Sequence, residues 1–312
     1  MTRYTGVLVD AHHHFWEPAA GRQPWLRPEV RIPFRYGDYE AIKRDYLPPD
    51  LVRDAASAGL RLIGSVTMET EWDDDDPLGE VTHIEGVRER HGLPSAAIGR
   101  VQLDRPNAPG LIEAMAARPI VRGIRHKPGQ TASPADHGPT LLSDPAWRAG
   151  YAELVRHGLD FELQTAWWHL DEAADLVRAF PDTAVTINHT ALPADRSPAA
   201  IEGWAAALGR IAVLPQVWLK ISGIGLPGRP WTVAANREIV ERAVAAFGVP
   251  RIMFASNFPV DSLCGTYAEI MGGFAELTAG WSADEQYAAF AGNAIRRYRL
   301  TLPEDPDDAA AS

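Results

Sequence analysis

Eight short runs of apolar and β-branched residues, each followed by a stretch of helical periodicity, set the tightest limit on what this chain can fold into. The runs are VLVDA (7–11), LRLIGSVTM (60–68), AAIGRVQL (96–103), IVRGIRH (120–126), LDFELQT (159–165), AVTINHT (184–190), VWLKISG (217–223) and RIMFASN (251–257). Runs this apolar read as strands of a parallel sheet buried on both faces. Amphipathic helices are expected at 50–58, 77–90, 109–117, 144–157, 169–180, 198–208 and 233–247, with 267–278 and 283–298 after the last strand. Eight strand-then-helix units fit a closed (β/α)8, or TIM, barrel, whereas an open doubly wound sheet usually stops near roughly five to seven strands. No Gly-x-Gly-x-x-Gly follows any run, which weakens a dinucleotide-binding reading. One barrel domain is expected over 1–301, with 302–312 an acidic, Pro/Ala-rich tail that has nothing to bury and reads as mobile.

Two insertions stand out, 15–47 after the first strand and 127–143 after the fourth. Both leave C-terminal strand ends, the face on which barrel enzymes build their sites, so they read as lids or substrate loops. The balance of 30 Lys and Arg against 41 Asp and Glu gives a net charge of -11, a field that repels phosphate backbones and anionic lipid. Nucleic acid and membranes are therefore poor partners, and a small molecule is the expected one; the sequence leaves a homo-oligomer open. The single cysteine, Cys264, excludes an intramolecular disulfide, and neither a secretory leader nor an apolar run of membrane-spanning length is present, so the cytoplasm is the expected compartment.

The strongest local signal is Asp10-Ala11-His12-His13-His14-Phe15-Trp16 at the end of the first strand. Side chains alternate along a strand, so His12 and His14 share one side and His13 takes the other. Two imidazoles on one face suit a divalent metal or a polarised carbonyl, and packing explains such a cluster poorly; His13 reads as a packing residue. His189 ends the sixth run. Arg125 and His126 end the fourth, and as adjacent strand residues at most one of them points into the mouth, where a guanidinium could grip a carboxylate or carbonyl oxygen. Lys220 reads either as a cation of the mouth or as a residue snorkelling outward, and Trp16, Trp167 and Trp168 either wall an apolar pocket or simply pack.

The Asp10-Ala11-His12-x-His14-Phe15-Trp16 segment resembles the first-strand HxH signature of the amidohydrolase superfamily, in the form used by its lactonase-like branch. That branch includes the 2-pyrone-4,6-dicarboxylate lactonases and the sugar lactonases acting on fuconolactone and rhamnonolactone. Arg122-Gly123-Ile124-Arg125-His126, Ile187-Asn188-His189, Leu219-Lys220-Ile221-Ser222-Gly223, Phe254-Ala255-Ser256-Asn257-Phe258-Pro259 and Gly292-Asn293-Ala294 resemble family segments in the same order, so the likeness spans nearly the whole chain. It implies a (β/α)8 barrel with the site at the C-terminal strand ends, a site histidine at His189, and basic substrate-binding residues at Arg125 and His126.

Two positions depart from the family. Hydrolytic amidohydrolases end the eighth strand in an aspartate that binds metal and accepts the proton of the attacking water, where this chain has Asn257, whose amide is no base near neutral pH. The fifth strand ends in Gln164 where metal-binding relatives carry histidine. A two-metal centre is thus disfavoured, leaving either no metal or one weakly held Zn2+ on His12, His14 and His189, with Gln164, Asn257 and Trp16 facing substrate. The base must then be His189, Asp261 or Glu69, in that order, with Glu69 otherwise a solvated loop acid and Asp261 otherwise a helix cap. The expected function is water attack on a lactone carbonyl polarised by His12 and His14; non-oxidative decarboxylation of an aromatic or enoic acid and a non-catalytic ligand-binding or biosynthetic accessory role are the alternatives. As rim residues, His12 and His189 are expected to be replaceable without loss of the fold.

Overall fold

The structure is a computed structural model that describes residues 3–302. All but the first residue of the expected mobile tail, 302–312, lies outside the described residues. Eight parallel strands follow one another in chain order around the sheet: β1 (Val7–His13), β2 (Arg61–Met68), β3 (Ala96–Arg100), β4 (Val121–Arg125), β5 (Asp160–Leu163), β6 (Val185–Ile187), β7 (Val217–Ile221) and β8 (Ile252–Phe254). Beyond β8 the chain bonds back to β1, with Asn257 N–H donating to His12 O at 2.7 Å and His14 N–H to Phe258 O at 2.7 Å. A barrel leaves no strand edge to cover, which is why every run is apolar enough to be buried. Helices α1 (Pro48–Ser57), α2 (Gly79–His91), α3 (Ala108–Ala116), α4 (Pro145–Arg156), α5 (Leu170–Ala179), α6 (Pro198–Ala212), α7 (Val233–Phe247) and α8 (Tyr267–Leu277) alternate with the strands. Their starts are chemically marked: Asp144 and Ser197 cap α4 and α6 ahead of a proline, and Thr266 with Glu269 forms a capping box on α8.

The expected helix 283–298 is instead three pieces, α9 (Ala283–Tyr287), a π-turn at Ala288–Gly292 and α10 (Asn293–Arg297). The widened turn brings Asn293 under β8, where its Nδ2 donates to Val249 O at 2.8 Å and Ile252 O at 2.7 Å. No helix among the described residues is long and apolar enough to cross a membrane.

Polar groups fill part of the barrel interior. Glu162 on β5 is fully buried, ion-paired to Lys220 Nζ at 2.9 Å, and accepts from Tyr298 Oη and from Asn188 Nδ2. Lys220 is therefore neither of the two things expected of it: it is a fully buried interior cation, pushed down to about 8 by burial despite the carboxylate beside it. Strand β1 carries the irregularity that aims the site. Asp10 pairs with Ser65 and His13 with Thr67, three steps on β1 against two on β2, the signature of a bulge. Before it, Val9 and Ala11 pack with Val66, Met68, Met253 and Ala255, while Asp10 faces the other way, toward Ser256 and Tyr267. After it, His12 and His14 approach His189, with ring centroids 4.4 Å apart for His12–His189 and 5.4 Å for His12–His14.

Candidate active site

A cavity of about 280 Å³ opens at the C-terminal ends of the strands. His14, Glu69, Arg125, Gln164, His189, Asn257 and Trp16, all singled out from sequence, line it. Local backbone explains how two of them reach it. His189, Thr190, Ala191 and Leu192 all have φ between 49° and 58°, a left-handed turn that non-glycine residues adopt only when their surroundings hold them. Trp204 of α6 provides part of that hold by donating its indole N–H to Thr190 O at 2.7 Å. At Gly223 the end of β7 passes so close that an added Cβ would lie 2.4 Å from His189 Nδ1, and with φ +59° the position suits only glycine. Asn257 is itself left-handed at φ 57°, a conformation asparagine tolerates better than most residues.

The two cavity-lining imidazoles are held differently. His14 Nδ1 lies 3.2 Å from Met68 O. A carbonyl only accepts, so Nδ1 carries the proton and Nε2 of the neutral ring is a bare lone pair. Burial, reinforced by the Arg125 charge, pushes His14 down to about 3, so the ring is neutral near pH 7. His189 Nδ1 meets Ser222 Oγ at 2.9 Å; a hydroxyl donates or accepts there, so this contact is compatible with a tautomer that carries its proton on Nε2. Burial, then Arg35 and Arg125, holds His189 well below the ordinary imidazole range as well.

Glu69 and Arg125 form a buried ion pair, Nε to Oε1 at 2.6 Å, and Arg125 also donates to Glu69 O at 2.8 Å and Gln164 Oε1 at 3.2 Å. Burial alone would raise the Glu69 carboxyl, but Arg125, Lys127 and the Glu71 amide outweigh it and hold Glu69 below the usual carboxylate range. Glu69 is thus neither a solvated loop acid nor a proton acceptor tuned toward neutrality; it orients Arg125 and neutralises it. Behind it Glu80 accepts from Thr70 N and Oγ1 at 2.6 Å each and is pushed up to about 8, by burial first and the Glu69 charge second.

Three expectations need correcting. His12 does not line the cavity: it is fully buried beneath His14 and His189, so it cannot touch a carbonyl in the cavity directly, and it is no rim residue. His126 faces away, its Nδ1 3.0 Å from Leu103 N and 2.8 Å from Trp147 Nε1, because strand alternation sends it outward once Arg125 points in. Asp261 also lies outside the cavity wall, fully buried, its Oδ1 accepting from Asn257 Nδ2 at 2.6 Å and Tyr36 Oη at 3.0 Å. Burial raises Asp261 to about 6, and its role here is to fix the Asn257 amide, since a carboxylate must face the amide's NH2 end. Of the indoles, Trp16 lines the cavity, while Trp168 donates to Thr131 Oγ1 at 3.0 Å in the loop after β4.

A divalent ion would take the imidazoles as ligands. In favour, both ring nitrogens of His12 are buried without a hydrogen-bond partner. Against it, among the described residues no three His, Cys, Asp or Glu side chains come together so as to hold an ion, and Glu69 and Glu71, the carboxylates of the wall, are already paired with Arg125 and Lys127. The donor set as arranged does not fit a metal.

Sequence reasoning passed over the remaining lining residues one by one, although it marked the loops that carry most of them. The loop 15–47 brings Trp25, Ile32, Pro33, Phe34 and Arg35 into the wall, and the loop after β4 brings Lys127. Both ends of the first loop are tied together by an antiparallel bridge between Trp16 and Tyr46. Trp25 Nε1–H donates to Thr70 O at 2.8 Å, fastening its middle to the end of β2.

The amidohydrolase family model matches residues 9–300 of this chain, nearly the whole barrel. The chain belongs to the amidohydrolase family. The y4mH protein of Sinorhizobium fredii is 37% identical over 94% of this chain and 99% of its own length. The L-fucono-1,5-lactonase of Burkholderia ambifaria is 27% identical, covering 95% of this chain and 96% of itself, which supports the lactonase-like branch. An amidohydrolase from Burkholderia multivorans crystallised with bound zinc superposes at TM-score 0.76 with 24% identity, over 95% of this chain and 100% of that one. This amidohydrolase is accordingly an enzyme.

Proposed function

We propose that the enzyme opens a small lactone with water, using two neutral imidazoles of complementary tautomer. The observation that carries this reading is the pairing of His14, whose Nε2 is a fixed lone pair, with His189, whose Nδ1 meets a hydroxyl, on the wall of one cavity. Water attacks the carbonyl carbon while His14 Nε2 takes its proton. His189 Nε2–H and the Arg125 guanidinium stabilise the oxygen as charge develops on it. The ring C–O bond then breaks, and the departing oxygen receives the proton back from His14, giving the hydroxy acid. A lactone is activated enough for bases this weak, and a site without a carboxylate base supports it better than an amide. Membership of a family with lactonase relatives agrees with the reading.

Screening a lactone panel by proton release tests it. Turnover of at least one lactone that survives exhaustive chelation is expected, with loss of most activity in His14→Ala and His189→Ala. Carbon dioxide release from an aromatic acid with no lactone opened would replace it by decarboxylation. Activity abolished by chelation and restored by zinc would replace the metal-free steps.

A further inference from the structure

We infer that Glu80, which lies outside the active-site cavity, is a positioning residue for the reaction: from behind the wall it fixes the Glu69–Thr70–Glu71 corner that holds Arg125 and the loop 15–47 in place. Its kinetic consequence rests on the lactone mechanism above. Glu80 stands in the first turn of α2 and lines a second cavity, about 50 Å³, together with Trp72, Asp74, Arg100 and Arg105. Thr70 lines the first cavity, so its amide and hydroxyl, both donating to Glu80 Oε1 at 2.6 Å, cross the wall between the two. On the near side, Gln23 Nε2 donates to Thr70 Oγ1 at 3.2 Å and Trp25 Nε1 to Thr70 O at 2.8 Å, which ties down the loop. The Glu71 amide donates to Glu69 Oε2 at 2.8 Å, which leaves Oε1 for Arg125 Nε at 2.6 Å.

The anchor works without a charge. Around Glu80 stand Glu69 past the end of β2, Asp73 and Asp74 in the loop that follows, Arg100 of β3, Arg105 beyond it and Arg125 of β4. Arg100 is paired with Asp74, Arg105 donates to Gln102 Oε1 at 3.0 Å and Arg125 is taken by Glu69, so among the described residues no cation pairs with Glu80. Two buried carboxyls that share one guanidinium do not both ionise readily. Glu69 carries the charge, and Glu80, pushed up to about 8 by burial and then by Glu69, keeps its proton at neutral pH. Both Thr70 bonds end on Oε1, so that proton belongs on Oε2. Ionisation sets a second negative charge behind Arg125 and weakens the field that the guanidinium offers to the developing oxyanion.

The test follows kcat and KM from about pH 6 to about pH 10 in wild type, Glu80→Gln and Glu80→Ala, on a lactone that wild type opens. Wild-type kcat is expected to fall about tenfold as pH rises through about 8, with KM nearly constant, because the weakened interaction belongs to charge that develops only in the transition state. Glu80→Gln, whose amide oxygen accepts the same two bonds, should keep most of the neutral-pH kcat and lose that fall. Glu80→Ala strands both Thr70 donors and should lose about tenfold in kcat at neutral pH, with a raised KM as the loop loosens. A fall that persists in Glu80→Gln belongs to another group, such as the buried Lys220, and overturns the inference. Full neutral-pH activity in Glu80→Ala, or a Glu80→Gln no better than Glu80→Ala, overturns it too. If wild type opens no lactone, the mechanism above falls instead, and urea unfolding decides the anchor. A carboxyl raised from the ordinary 4.5 to about 8 in the fold costs stability as pH rises between those values, so the midpoint should drop more in wild type than in Glu80→Gln over that range. Equal drops overturn the inference.

Discussion

Asn257 shows how much one side chain can depend on another. Its Nδ2 sits 2.6 Å from Asp261 Oδ1, so restoring an aspartate there sets two buried carboxyls face to face. One of them must then hold a proton, and the Tyr36 bond is shared with the new acid. Asn257→Asp is therefore expected to lower stability by on the order of 2 kcal/mol, measured by denaturant unfolding, and the exchanged pair Asn257→Asp with Asp261→Asn to recover most of it. Additive losses in the double variant would show that the contact does not matter. The imidazoles give a second expectation at this scale. A base works only unprotonated, so activity is lost as pH falls through its pKa, and both His14 and His189 lie below the ordinary 6.5. The acid limb of kcat/KM should lie below pH 6.5, on the acid side of an unperturbed histidine; a limb centred at or above that value would mean that neither ring is the base.

Elements hold these groups by a few close approaches. The end of β7 presses on the left-handed turn after β6 at Gly223, so Gly223→Ala should displace His189 and reduce kcat by about a hundredfold or more, since a shift near 1 Å can cost that much. A crystal structure with His189 unmoved would contradict this. Between β2 and β4 the Glu69–Arg125 pair is 2% and 3% exposed, and Glu69→Gln leaves the guanidinium buried without its counter-charge. That variant is expected to lose about 3–5 kcal/mol by urea unfolding. A loss under 1 kcal/mol would mean that water reaches Arg125.

The barrel as a whole depends on where its first and last strands meet. Asp10, fully buried, accepts from Ser256 N at 3.0 Å, Ser256 Oγ at 2.5 Å and Tyr267 Oη at 3.0 Å, joining β1 to the turn after β8 and to α8. Asp10→Ala strands these three donors and the His12 amide, which also donates to Asp10 Oδ1 at 3.3 Å, and should cost about 3 kcal/mol or more, whereas Tyr267→Phe removes one bond and should cost about 1 kcal/mol. Equal losses in a thermal-unfolding comparison would show that closure does not run through Asp10.

The number and order of the strands, the helices between them and the face that carries the site were all legible in the sequence, because buried parallel strands must be apolar throughout and barrel enzymes place their chemistry at strand ends. Strand parity accounts for Arg125 facing the cavity and His126 facing away, whereas His189 and Asn257 reach it through left-handed backbone past the strand ends. Parity failed where the backbone left regular geometry. The β1 irregularity between Asp10 and His13 brought His12 to the same side as Ala11 and left it beneath the cavity floor, and no local residue pattern announced it. Nor could a single strand reveal that Glu69 would be neutralised by Arg125, two strands away, or that Lys220 would meet Glu162 inside the barrel. Those pairings depend on registers between distant segments, and only the three-dimensional packing decides which charges meet.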